Sequence, residues 1–135
     1  MMSRCLDLYV AFYAPSEGNY QHWALFLDDG AKSIIWEVEG QQPNLERVER
    51  IGDPEVSPGR RFRECIYVGD LSTDDLPDIR RVIENVLVDN ETFEWDCQEY
   101  VLDILEALVD EFILEDSATY AEVHDILITR RGPMI

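Results

Sequence analysis

Two hydrophobic periodicities divide this chain, and their order constrains the fold more than any other feature. Up to residue 70 the apolar positions alternate or run together as β-branched and aromatic residues; from 72 to 128 they return every third or fourth residue. "CLDLYVAFY" (5–13) reads as a strand that ends at the turn-rich Ala14-Pro15-Ser16-Glu17-Gly18-Asn19. "YQHWALFL" (20–27), the turn Asp28-Asp29-Gly30 and "SIIWEVE" (33–39) read as an antiparallel hairpin. "LERVERI" (45–51) fits either a strand or a short connecting segment. Loops at Asp53-Pro54 and Ser57-Pro58-Gly59 precede the strand "RFRECIYVGD" (61–70), with Phe62, Glu64, Ile66 and Val68 alternating against Arg63, Cys65 and Tyr67.

The second half reads as three helices. Residues 72–88 open with Ser72 and Asp75 at capping-box spacing, and Leu76, Ile79, Ile83 and Val86 share a face. A second helix starts at Asp96, an N-cap with Glu99 three residues on, and carries Tyr100, Val101, Ile104, Leu105, Leu108 and Phe112 inward. A third runs from Ser117 to Ile128 with Tyr120, Val123 and Leu127 inward. Strands followed by helices predict an α+β fold, an antiparallel sheet with helices packed on it. The 135 residues fit one domain, strand-rich over 5–70 and helical over 72–128.

Charge narrows the function classes. Acidic residues outnumber basic ones 29 to 11, giving a net charge of −18. Phosphate neutralisation, the main source of affinity for nucleic acids, is therefore not expected, nor is a polybasic grip on anionic membranes. The acidity serves solubility or meets a cationic or protein partner. No apolar run is long enough for a membrane span, and Asp7 interrupts what would be a signal-peptide core. Three cysteines, Cys5, Cys65 and Cys97, form no CxxC pair, so neither a disulfide framework nor a zinc site is expected, and a reducing cytoplasm is the expected compartment. Asp28, Asp29, Asp74, Asp75 and Asp78 lack EF-hand spacing. No metal or other cofactor is expected.

One constellation carries chemistry. With Asp96 as cap, Cys97 is the first helical residue, where the helix dipole favours a thiolate while Asp96 and Glu99 oppose it. A catalytic thiol also needs a base, usually histidine. The chain has two: His22, sharing a strand face with Ala24 and Phe26, and His124 on the last helix. Each residue alone also fits a bland role, a buried thiol or a core histidine.

Their contexts resemble a known family. "NYQHWALFLDDG" is similar to the His-Trp-Ala-Leu/Ile-Tyr-Val-Gly-Asp-Gly strand of the lecithin:retinol acyltransferase-like family, and "WDCQEYV" to its Asn-Cys-Glu-His-Phe-Val motif. The motifs occur in the family's order, with 75 residues from His22 to Cys97. The resemblance implies a circularly permuted papain-like fold of the NlpC-like superfamily, Cys97 as nucleophile and His22 as general base. The family's third polar residue, on the strand after the hairpin turn, aligns at or near Trp36. Tryptophan cannot orient an imidazole. Glu37 is the candidate in its place and requires a bulge or a shifted register to reach the site; Glu39 is another.

The resemblance implies attack of Cys97 on an amide, ester or thioester carbonyl of a small-molecule, peptide or acyl substrate, with the Cys97 N–H in an oxyanion hole. Trp23, Trp36 and Trp95 either line a substrate pocket or fill the core. The ending "TRRGPMI" lacks the apolar tail of membrane-acting relatives, which argues against an integral lipid acyltransferase. The other reading is a catalytically inactive relative of the same fold that serves as a binding module; a third is an acidic interaction protein of unrelated α+β fold.

Overall fold

The computed structural model describes residues 5–15, 18–57 and 59–132. Ser16 and Glu17 of the first turn, Pro58 of the second loop and residues 1–4 and 133–135 lie outside them. Six strands, β1 (Cys5–Tyr13), β2 (His22–Asp28), β3 (Ser33–Glu39), β4 (Glu46–Gly52), β5 (Val56–Ser57) and β6 (Arg60–Ser72), form one antiparallel sheet in the order β4-β3-β2-β1-β6-β5. A short 3₁₀ turn (Thr73–Asp75) leads into α1 (Leu76–Asn85), followed by α2 (Cys97–Asp110) and α3 (Ala118–Arg130). The fold is thus α+β, an antiparallel sheet with three helices.

Side-chain alternation gives the sheet two faces. Leu8, Val10 and Phe12 of β1, Trp23 and Leu25 of β2 and Trp36 of β3 meet the helices in the main core. The opposite face gathers a smaller cluster, Ala11, Tyr13, Ala24, Phe26 and Ile35, with Tyr9 and Phe62 beside it. Burial on both faces explains why β2 and β3 read as continuous apolar runs rather than alternating ones. The hairpin between them closes as its sequence dictates. Asp28 Oδ1 accepts from the Gly30 N–H, and Asp29 Oδ1 accepts from the Ala31 and Lys32 N–H groups, at 2.8–2.9 Å.

Each helix is held by identifiable chemistry. Arg47 of β4 donates to the carbonyls of Glu84 and Val86 at the end of α1 and to the Tyr100 hydroxyl of α2, so one guanidinium ties three elements. Ser117 caps α3, accepting from the Tyr120 N–H at 3.1 Å, and Tyr120, Val123 and Leu127 are buried. Ser117→Ala should destabilise the chain by about 1 kcal/mol. Urea unfolding checks this, and an unchanged midpoint would mean that α3 adds no stability through its cap.

Three expectations are corrected. Phe112 does not extend the inward stripe of α2. It adopts φ 60 just beyond the helix and is 94% exposed, while Leu114 turns back into the core in its stead. The alternation of β6 is broken by two register shifts against β1, at Leu8/Tyr9 and Phe12/Tyr13. Phe62 therefore faces Tyr13, away from Ile66 and Val68, because a bulge residue moves its neighbours to the other face, while Tyr67 stays opposite them as expected and faces Tyr9. The segment 45–51, open between strand and connector, is a strand over Glu46–Gly52 that pairs with β3 along its whole length. Among the described residues no helix is long and apolar enough to cross a membrane.

Candidate functional site

The start of α2 abuts one end of the sheet, and several loop contacts fix it there. Gln42, after β3, donates through Nε2 to the carbonyls of Asp89 and Trp95 at 2.5 and 2.7 Å. Asn90 exchanges two hydrogen bonds with the Leu45 backbone, at 2.8 and 3.0 Å. The segment leading into α2 is thereby pinned to the β3–β4 connection. Asp96 then caps the helix, its Oδ1 accepting from the Gln98 N–H at 2.9 Å, as its sequence context predicts.

At that junction lies a cleft of about 200 Å³ whose lining includes Tyr20, His22, Arg60, Asp96 and Cys97. The two residues singled out by the sequence thus border one cavity. His22 reaches it from the first residue of β2, on the Ala24 and Phe26 face. Cys97 reaches it from the first residue of α2, half-buried beside the main core. The Cys97 thiol lies 4.0 Å from the Gln21 carbonyl oxygen. Gln98, fully buried, donates to the same carbonyl at 3.0 Å and accepts the Gly132 N–H at 2.8 Å, locking helix, strand and the end of α3 together.

Glu37 belongs to the same site, and it needs no bulge. Leu25 pairs with Trp36, which puts both on the helix side and places Glu37 on the face that His22 shares with Ala24. The register, not the local sequence, decides this. Glu37 is fully buried, and its Oε2 lies 3.3 Å from His22 Nε2. Its Oε1 lies 3.7 Å from Arg50 Nε, and Arg50 also donates to Ser57 Oγ at 3.2 Å. Burial alone would raise the Glu37 pKa, but the His22 hydrogen bond and charge, with the Arg50 guanidinium, outweigh it and hold the carboxyl below its usual value. Burial lowers the His22 pKa, with the Arg60 charge adding to it, against the opposing pull of Glu37, so the imidazole is neutral near pH 7. An ionised carboxylate only accepts, so the proton of neutral His22 sits on Nε2 and the lone pair on Nδ1.

The thiol is held protonated at rest. Burial pushes the Cys97 pKa up to about 12; the Asp96 charge pushes the same way, while the Trp23 and Gln98 N–H groups and the Arg60 charge favour the thiolate without prevailing. The helix start therefore does not deliver a free thiolate, and any nucleophilic chemistry here must remove the proton during attack. Asp96 accepts from the Gln98 and Glu99 N–H groups, which leaves the Cys97 N–H as the first-turn donor its cap does not use.

The tryptophans divide. Trp23 and Trp36 are 0% and 1% exposed in the main core and are not among the residues that line the cleft, so of the two readings left open they take the core one. Trp36 donates to Glu49 at 2.6 Å. Trp95 packs on Tyr100, donates to Asp103 at 3.0 Å, and borders an adjoining cleft of about 380 Å³ that shares Tyr20 and Asp96 with the first. His124 lies tilted against Tyr120 within α3, away from the cleft. Cys5 and Cys65 are exposed. Among the described residues no group of three or more His, Cys, Asp or Glu is placed to hold a metal.

Three site residues escaped the sequence reading. Arg50 had a signal, since it pairs with Ile35 and so shares the Glu37 face, but only once the β3–β4 register is known. Arg60 and Gln98 carried none beyond a basic residue in an acidic chain and an amide in a first helical turn.

No curated protein and no solved structure matches the chain. One family model, described as a family of unknown function (DUF6540), matches residues 8–115, which include His22, Glu37, Arg60 and Cys97. With most of its length matched, including most of the sheet and all of α2, the chain belongs to the DUF6540 family.

Proposed function

We propose that this chain is a cysteine-dependent acyl hydrolase or acyltransferase of permuted papain-like fold, acting on an amide, ester or thioester. The observation that carries the reading is the shared cleft: Cys97 at a helix start and a neutral His22 backed by the buried Glu37 border the same cavity. In the proposed reaction His22 Nδ1 takes the Cys97 proton as sulfur attacks the carbonyl carbon. The new S–C bond forms and the carbonyl electrons move to oxygen, beside the backbone N–H groups of Cys97 and Trp23. When the tetrahedral species collapses, the bond to the leaving group breaks and His22 returns the proton to it. Water or a second nucleophile, deprotonated by His22, then attacks the thioester; the S–C bond breaks, and the departing Cys97 sulfur takes the proton back from His22. Glu37 keeps the imidazole in the required tautomer throughout.

One observation favours a second reading, a binding module that retains the fold without turnover: the Cys97 thiol is held at a pKa of about 12, with Asp96 beside it. Incubation with p-nitrophenyl acetate followed by peptide mass spectrometry separates the two. An active site gains one acetyl group on Cys97 faster than on the exposed Cys65, and Glu37→Gln or His22→Ala slows that transfer. Acetylation confined to Cys5 and Cys65 supports the binding module instead.

A further inference from the structure

The chain is strongly acidic, yet the charge available to a ligand in the Cys97 cleft is positive. Arg60, half-buried at the start of β6, lines the cleft together with His22 and Cys97. Its field reaches both, favouring the Cys97 thiolate and disfavouring the His22 cation. Most of the described arginines are engaged. Arg50 faces Glu37, Arg80 Glu49, Arg81 Asp78, Arg130 Glu64 and Arg131 Glu99, while Arg47 is spent on backbone carbonyls. Among the described residues Arg60, like the exposed Arg61 and Arg63, has no ion pair with a carboxylate, but of the three only Arg60 lines the cleft. Among the described residues the one carboxylate lining the cleft, Asp96, is occupied with backbone N–H groups of its own helix.

A half-buried guanidinium in the cleft that holds the thiol presents a planar donor fork that matches a carboxylate. We infer that Arg60 is a specificity-determining residue that binds a carboxylate on the substrate, so the cleft selects acyl compounds bearing that negative charge close to the reacting carbonyl. This rests on the acyl-transfer reading for its reaction, but not for the binding of the anion. It also separates local from global charge, since the net −18 slows the approach of anions while Arg60 holds those that enter.

Two alkylating reagents of nearly equal size test the inference. Iodoacetate carries the carboxylate and iodoacetamide does not. The ratio of their rates at Cys97, read by mass spectrometry and compared with the exposed Cys65 of the same protein, should be roughly tenfold higher than at Cys65. Arg60→Gln should bring it down to the Cys65 value, while Arg60→Lys keeps part of it. A reactive Cys97 with no preference for iodoacetate, or a preference untouched by Arg60→Gln, overturns the inference and leaves the acyl chemistry standing.

A second titration covers the case of an inert Cys97. N-acetylglycine is added to the Cys97→Ala protein and the His22 ring protons are followed by NMR, with N-methylacetamide as the neutral control. Shifts with N-acetylglycine that vanish when Arg60→Gln is added support the anion site even if acyl transfer has failed. Absent shifts, or equal shifts with the neutral amide, overturn it.

Discussion

Glu37→Ala should destabilise the chain by about 2–3 kcal/mol. The carboxylate is fully buried and serves two partners, so alanine leaves the buried His22 Nε2 donor without its acceptor and the Arg50 guanidinium without its counter-charge. An unpaired buried donor costs roughly 1–3 kcal/mol, and breaking a fully buried ion pair roughly 3–5 kcal/mol. The lower figure governs here because Arg50 is 25% exposed and can turn to water, and because His22 is neutral. Glu37→Gln should cost less, since its amide oxygen still accepts from His22. Urea unfolding of the three proteins measures the order, wild type above Gln above Ala. Alanine as stable as wild type would show that the buried carboxylate is not engaged.

The same carboxylate sets a pH dependence. The folded Glu37 pKa is depressed, so its contribution is complete above the unfolded value near 4.5 and is lost as pH falls through the lower folded value. His22 also has a lowered folded pKa, so its buried neutral ring favours folding above 6.5 and disfavours it as the unfolded ring protonates below that. Both act in the same direction. Wild-type stability should fall on acidification from about pH 6.5, and Glu37→Ala should lose the portion of that slope below about pH 4.5.

His22→Ala should lower acyl transfer by roughly 10²- to 10⁴-fold, the usual contribution of a general base. The reason is the resting state of the thiol. At a pKa of about 12 almost no thiolate exists near pH 7, so reactivity depends on a base that takes the proton during attack. A thiol already ionised would barely need His22. The large effect and the protonated rest state are one claim, and a neutral His22 lines the same cleft as the thiol.

How much of this was legible in the sequence follows from the range of each signal. Local signals held: the Asp96 and Ser117 caps, the Asp28-Asp29-Gly30 turn and the apolar runs of β1, β2 and β3 depend on neighbouring residues. Non-local ones did not. Trp36 aligned with the third site residue, yet the Leu25–Trp36 register turns it into the core and brings Glu37 to His22. Phe112 kept helical spacing, but the helix ended before it. The bulges of β6 exchange faces only because of how β1 lies against it. Arg50 and Arg60 enter the site from strands distant in sequence from His22 and Cys97, and nothing in their own segments marks them.

The most direct test of the cysteine chemistry is the rate of Cys97 alkylation by iodoacetamide against pH, in native wild-type and His22→Ala proteins, read by mass spectrometry. With His22 as base, the wild-type rate rises through a pKa below 6.5 as the ring loses its proton and then levels off through neutral pH; His22→Ala abolishes that plateau. A rate that climbs steadily into the alkaline range toward the pKa of about 12, the same in both proteins, would contradict it and leave Cys97 as a packed thiol at a helix start.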